Sequence, residues 1–154
     1  MATSKSINVL YVDDEIHNLN SFKATFRKEF NVLTASSVTE GLEVLKNTKD
    51  IQIVITDQRM PMTTGVEFLT EVLRKYPDIL RVLLTGFTDA TAISDALGTG
   101  LAHYRMEKPW DEEQIRVVIN AAYEISLLRK TGLRAQYIDV AIELDFILRQ
   151  NLLS

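Results

Sequence analysis

The stretch that decides the fold is IQIVITDQRMPMTTG, residues 51–65. Within it, Ile51, Ile53, Val54 and Ile55 form a short apolar run rich in β-branched side chains, which is typical of a strand buried on both faces. Asp57 is a single carboxylate at the point where this run stops, and Pro61 and Gly65 interrupt the chain before the next helical pattern. Open α/β sheets bind ligands at the carboxyl ends of their strands, so Asp57 is either a turn or cap residue or part of a site.

The composition excludes several classes of protein. The chain has 154 residues, which suggests one domain, and its net charge of −4 gives no basic face for nucleic acid. No apolar run approaches the roughly 18 residues of a membrane span, and residues 1–6 lack the hydrophobic core of a signal peptide. The chain has no cysteine, which excludes disulfides, thiol nucleophiles and zinc–thiolate sites. We therefore expect a cytoplasmic protein without direct nucleic-acid or membrane contact.

Strand and helix patterns alternate on both sides of this stretch. Besides 51–56, we predict strands over 7–12, 31–35, 80–84 and 102–106, and helices over 17–29, 36–46, 65–76, 89–97 and 111–130. This alternation is typical of a parallel sheet covered by helices on both faces.

Polar side chains stand where four of the predicted strands end. Asp13 and Asp14 follow the first strand, Asp57 the third, Thr85 the fourth and Lys108 the fifth. In a parallel sheet these ends meet at one edge, where three carboxylates repel one another and raise at least one pKa. A hard cation relieves this repulsion, and oxygen ligands suit Mg²⁺. The alternative is a set of independent caps and loop residues.

The same residue types suit one reaction in particular. A carboxylate nucleophile, a divalent cation, a lysine and a hydroxyl together favour phosphoryl transfer to Asp57.

Four motifs carry a resemblance to a known family. VDDE at 12–15, TDQRMP at 56–61 with Gly65, LTG at 84–86 and EKP at 107–109 resemble the receiver domain of two-component response regulators. The resemblance covers about residues 7–129. It implies a flavodoxin-like, doubly wound, five-stranded parallel α/β sheet of order 2-1-3-4-5. It also implies a receiver domain over 1–130, followed by a C-terminal helical extension over 131–154.

The resemblance implies a role for each residue at this edge. The Mg²⁺ ligands would be Asp13 through water, Asp14, Asp57 and the backbone carbonyl of Arg59. Asp57 would be the phosphoacceptor, and Thr85 and Lys108 would each contact a phosphoryl oxygen. The donor would be a phosphohistidine on a sensor histidine kinase or phosphotransfer protein, and the Lys108–Pro109 peptide is expected to be cis.

Tyr104 is the predicted switch residue, because it lies four residues before Lys108, where the resemblance places a switch aromatic. The alternative is an ordinary half-buried ring. The signal would leave through the face formed by the predicted helix over 89–97, the fifth strand and the helix that begins near Asp111. We further expect Arg59 and Phe87 to lengthen the lifetime of the phosphoryl group by restricting the attacking water.

The output is left open by the sequence. The apolar stretch over 133–153 could pack on its own domain, form a homodimer or belong to a larger multidomain regulator. We expect no enzyme activity beyond the protein's own phosphorylation and dephosphorylation. The alternatives are an interaction module that is never phosphorylated and an aspartyl-phosphate phosphatase resembling the haloacid dehalogenases. The latter needs a second aspartate where this chain has Arg59.

Overall fold

The computed structural model describes residues 7–86 and 98–130. The predicted helix over 89–97, Phe87 and the predicted extension over 131–154 lie outside the described residues. Within them the elements are β1 (Asn8–Val12), α1 (Ile16–Phe26), β2 (Asn31–Ala35), α2 (Val38–Asn47), β3 (Ile51–Asp57), α3 (Gly65–Lys75), β4 (Leu80–Thr85), β5 (Tyr104–Glu107) and α4 (Glu112–Lys130).

The five strands form one parallel sheet in the order β2-β1-β3-β4-β5. This confirms the predicted fold class and strand order. Val12 pairs with Thr56 and Asp57 with Leu84, so β1, β3 and β4 end side by side. The residues that follow these ends therefore share one edge of the sheet.

The sheet is buried on both faces, which explains the continuous apolar run at 53–55. Ile53 and Ile55 belong to the core beneath α1 and α4. Val54, between them, belongs to the core beneath α2 and α3. Successive strand residues point to opposite faces, so both faces of β3 need apolar side chains. None of the helices in the described ranges is long and apolar enough to cross a membrane.

The predicted boundaries of β5 were wrong by one to two residues. The prediction was 102–106, whereas the strand runs from Tyr104 to Glu107. Arg81 explains the later start, because it forms hydrogen bonds with residues of the segment just before Tyr104. Arg81 Nε donates to the carbonyl of Leu101 at 2.7 Å, and the Arg81 backbone N–H donates to His103 Nδ1 at 2.9 Å. The segment before Tyr104 therefore uses the Leu101 carbonyl and the His103 ring to bind this buried arginine.

Helix α1 ends earlier than predicted, at Phe26 instead of Glu29. The backbone N–H groups of Glu29 and Phe30 both donate to the carbonyl of Phe26 at 2.9 Å. The resulting turn places Phe30 in the core with 1% of its surface exposed.

Candidate functional site

Three carboxylates meet at the carboxyl edge of the sheet. Asp13 and Asp14 directly follow β1, and Asp57 is the last residue of β3. One carboxylate oxygen from each lies within 4.8 Å of the other two. Asp13 and Asp57 are buried and Asp14 is exposed. An oxygen-only cluster with one solvent-facing member fits a hard divalent cation that keeps part of its water shell.

Lys108 reaches the same cluster from the end of β5. Its Nζ lies 3.1 Å from Asp57 Oδ2 and 3.7 Å from Asp13 Oδ2. Burial lowers the pKa of Lys108, but the neighbouring charges of Asp57 and Asp13 outweigh burial and raise it. Lys108 is therefore a stable ammonium. The Lys108–Pro109 peptide is cis, as expected.

One ammonium does not balance three carboxylates. Burial raises the pKa of Asp57, Lys108 lowers it, and Asp13 raises it again, with a net increase. Asp57 is thus a carboxylate whose ionised form is under-stabilised by the protein alone. A bound cation would stabilise that form, so the residues present fit Mg²⁺ at this site.

Asp13 is held by donors on both of its oxygens. The Tyr11 hydroxyl and Asn18 Nδ2 donate to Asp13 Oδ2 at 2.9 and 3.0 Å, and the backbone N–H of Glu15 donates to Oδ1 at 3.0 Å. Burial raises the pKa of the Tyr11 phenol, and the Asp13 charge raises it further, against a smaller opposing hydrogen bond from Trp110. Tyr11 therefore remains a protonated donor.

Sequence reasoning missed Tyr11 and Asn18. Tyr11 was read only as an apolar strand residue and Asn18 only as part of a helix. The alternation of side chains along a strand could have identified Tyr11, because residues two apart share a face. Nothing in the spacing of Asn18 indicates its contact with Asp13.

Thr85 ends β4 next to the strand that carries Asp57. It is completely buried, and its Oγ1 has no hydrogen-bond partner within residues 7–86 and 98–130. Its backbone carbonyl accepts from the Lys108 N–H at 3.0 Å, which ties it to the start of the cis peptide. A buried hydroxyl without a partner is uncommon and is consistent with a polar group that binds at this edge.

The connection from β3 to α3 is built around Gly65. Its N–H donates to the carbonyl of Gln58 at 2.9 Å, and the next N–H, of Val66, donates to Gln58 Oε1 at 2.9 Å. A Cβ at Gly65 would overlap the carbonyl oxygen of Asp57. Gly65 was predicted as a break after the strand, as the start of a helix and as part of a motif, and its missing side chain lets α3 begin against the main chain of Asp57.

The remaining predicted residues lie at the margins of this cluster. Arg59 is exposed two residues after Asp57, and the role of its carbonyl stays a prediction. Tyr104 is the first residue of β5, pairs with Val82 and packs half-buried against the core shared by α1 and α4. Its position is compatible with either reading of its ring, so its switch role also stays a prediction.

Comparison with known proteins identifies the class. The sequence pattern of the response regulator receiver domain matches residues 9–120. The chain therefore belongs to the receiver domain family of response regulators, which are signalling proteins of two-component systems.

Individual relatives agree with this assignment. The chain is 34% identical over 122 residues to the hydrogenase transcriptional regulatory protein HoxA of Cupriavidus necator, covering 79% of this chain and 25% of that protein. A receiver domain structure from Clostridium thermocellum is 33% identical, with a TM-score of 0.74 and coverage of 79% and 98%. The structure of an uncharacterized protein from Neptuniibacter caesariensis is 39% identical, with a TM-score of 0.77 and coverage of 84% and 96%. The chain spans about a quarter of the length of the curated relatives it matches first.

Proposed function

We propose that this receiver accepts a phosphoryl group on Asp57 from a phosphohistidine of a sensor histidine kinase or phosphotransfer protein. The observation that carries this proposal is the buried carboxylate of Asp57 among two further carboxylates, with Lys108 Nζ at 3.1 Å. The cation would be Mg²⁺, held by Asp14, Asp57 and the backbone carbonyl of Arg59, and by Asp13 through water. When bound, it would neutralise charge on the phosphoryl oxygens.

The residues divide the chemistry among them. A carboxylate oxygen of Asp57 attacks phosphorus, a P–O bond forms, and the P–N bond to the donor imidazole breaks with its electron pair passing to nitrogen. Lys108 is paired with Asp57 Oδ2, and its ammonium would form an ion pair with a phosphoryl oxygen once Asp57 is phosphorylated. The Thr85 hydroxyl would donate to another, which would satisfy a group that is unpaired in the described part of the chain. Hydrolysis of the acyl phosphate would return Asp57 to its starting state.

The output follows from the added charge. Movement of Thr85 toward the phosphoryl group would leave space for Tyr104 to turn inward, and the face around β5 would then select a partner, a second copy or an attached output domain. We place this activity in the cytoplasm. We further propose that the receiver is part of a larger regulator, since the chain matches about a quarter of HoxA.

The test is phosphorylation by a small acyl-phosphate donor. Incubation with acetyl phosphate and Mg²⁺ should add one labile phosphoryl group, measured by intact mass. The gain should disappear in Asp57→Asn and persist in Asp50→Asn, a matched change of an exposed acid just before β3. An unchanged gain in Asp57→Asn, or a full gain after chelation of Mg²⁺, would contradict the proposal.

A further inference from the structure

We infer that Tyr11 is a positioning residue for the cation site, and that it links the carboxylate of Asp13 to Trp110 at the surface. This inference rests on the proposed Mg²⁺ site and goes beyond it, because it assigns a role to two aromatic side chains outside the acid cluster. Tyr11 would not touch the cation. It would act through Asp13.

The first step is the bond between Tyr11 and Asp13. Tyr11 has no exposed surface, and its hydroxyl donates to Asp13 Oδ2 at 2.9 Å. Side chains two apart on a strand point to the same face, so a tyrosine at this position fills the core with its ring and still presents a donor to the acid beyond it. A phenylalanine would fill the same space without holding the carboxylate.

The second step is the rigidity of Tyr11 itself. Its ring stacks on Phe22 of α1, with centroids 4.2 Å apart and an angle of 11° between the planes. Asn18, one helical turn earlier on α1, donates to the same Asp13 oxygen at 3.0 Å. The phenol and the amide therefore fix Asp13 Oδ2 from two elements, and neither donor can follow a rotation of the carboxylate without disturbing α1.

The third step leads from this pair to the surface. Phe22 meets the edge of Trp110, with centroids 5.5 Å apart and planes at 77°. Trp110 directly follows the cis peptide of Lys108 and lines a surface groove of about 470 Å³ with Glu15, Asn18, Ser21, Lys108 and Pro109. A change in the position of the Asp13 carboxylate would thus alter the packing of Trp110 through the rings of Tyr11 and Phe22. Trp110 is the single tryptophan of the chain and so reports this effect by its fluorescence.

The consequence concerns the choice of cation as well as its affinity. Mg²⁺ demands near-ideal octahedral geometry, whereas Ca²⁺ accepts irregular and flexible ligand sets. Groups that orient a metal-binding carboxylate typically change metal affinity by about 10- to 100-fold when they are removed. A carboxylate released by loss of the phenol should therefore weaken Mg²⁺ binding more than Ca²⁺ binding.

The experiment compares Tyr11→Phe with Tyr123→Phe, which removes a phenol from a half-buried ring packed on the same core. Mg²⁺ and Ca²⁺ affinities are measured by calorimetry, Trp110 emission is followed in the same titrations, and urea unfolding shows that each variant is folded. We expect Tyr11→Phe to weaken Mg²⁺ binding about tenfold, to weaken Ca²⁺ binding less, and to reduce the emission change at saturating Mg²⁺. Tyr123→Phe should match the parent protein.

The outcomes separate this inference from the proposed function. A parent protein that binds no Mg²⁺ would overturn both. A parent protein that binds Mg²⁺ and a Tyr11→Phe variant within twofold of it would overturn the positioning role alone. An equal loss for Mg²⁺ and Ca²⁺ would also contradict positioning, and a full emission change in Tyr11→Phe would overturn the link to Trp110.

Discussion

Lys108 Nζ lies 3.1 Å from Asp57 Oδ2, so a loop after the edge strand of the sheet supplies the counter-ion for the acid at its centre. The pair joins β3 to β5 across β4. Its ammonium is the only cation within 4.0 Å of Asp57 among the side chains of residues 7–86 and 98–128.

Removal of this ammonium should slow phosphorylation. In Lys108→Ala, no ammonium is left to pair with a phosphoryl oxygen as charge develops there, and the pKa of Asp57, which burial raises and Lys108 lowers, would rise further. We expect the rate of phosphorylation by acetyl phosphate to fall about 100-fold, measured by intact mass over time. Lys75→Ala, at an exposed position on α3, is the control and should react at the parent rate.

Substitution of Gly65 should damage the fold as well as the site. The added methyl of Gly65→Ala would overlap the carbonyl oxygen of Asp57 and come 2.9 Å from the side chain of Leu83. We expect the free energy of unfolding to fall by about 2 kcal/mol, measured with urea. Gly98→Ala is the control, because a Cβ there meets no atom of the described residues within 4 Å. Equal stabilities for the two variants would show that the close approach is unimportant.

The ion pair between α4 and the turn that follows α1 should make stability depend on pH. Arg116 Nε and Nη2 donate to the two oxygens of Glu29 at 2.6 and 2.9 Å. The hydrogen bond from Arg116 lowers the pKa of Glu29 below its usual value. A lowered folded-state pKa means that the contribution is present above the unfolded pKa of about 4.3 and is lost as the pH falls through the folded value.

Glu29→Gln tests this dependence. The Glu29 side chain is 35% exposed, so solvent screening keeps the expected loss below about 1 kcal/mol at pH 7. The difference from the parent protein should shrink as urea unfolding is repeated at successively lower pH through the acid range. Glu43→Gln, an exposed acid on α2, should show no such trend. A difference that stays constant with pH would assign the effect to packing instead of charge.

The exposed side chain of Arg59 should control the lifetime of the phosphoryl group. It stands two residues after Asp57, where it can restrict the water that hydrolyses the acyl phosphate. Arg59→Ala should therefore dephosphorylate several-fold faster, measured as loss of the added mass after the donor is removed. Arg27→Ala, which changes an exposed arginine just after α1, should decay at the parent rate. An unchanged decay in Arg59→Ala would contradict the hypothesis.

The sheet and the position of Asp57 could be predicted because they depend on short-range patterns. A β-branched run that ends in a polar residue specifies both the strand and the edge at which its last side chain stands. The supporting contacts depend on distances between elements, which no local pattern encodes. Asn18 reaches Asp13 only because α1 packs at one particular height on β1. Arg81 displaces the start of β5 because its guanidinium finds carbonyl partners about 20 residues away.

Thr85 would bias the protein toward the phosphorylated state, because its buried hydroxyl has no hydrogen-bond partner among the residues that the structure describes. Leaving a buried hydroxyl unpaired costs about 1–3 kcal/mol, and a group that accepts a hydrogen bond from it in one state removes that cost in that state only. Differential stabilisation of one state is what shifts a two-state equilibrium. Thr85 Oγ1 would thus set two quantities together. It would set the stability of phosphorylated Asp57, and it would set how far the population of conformers shifts when Asp57 is phosphorylated.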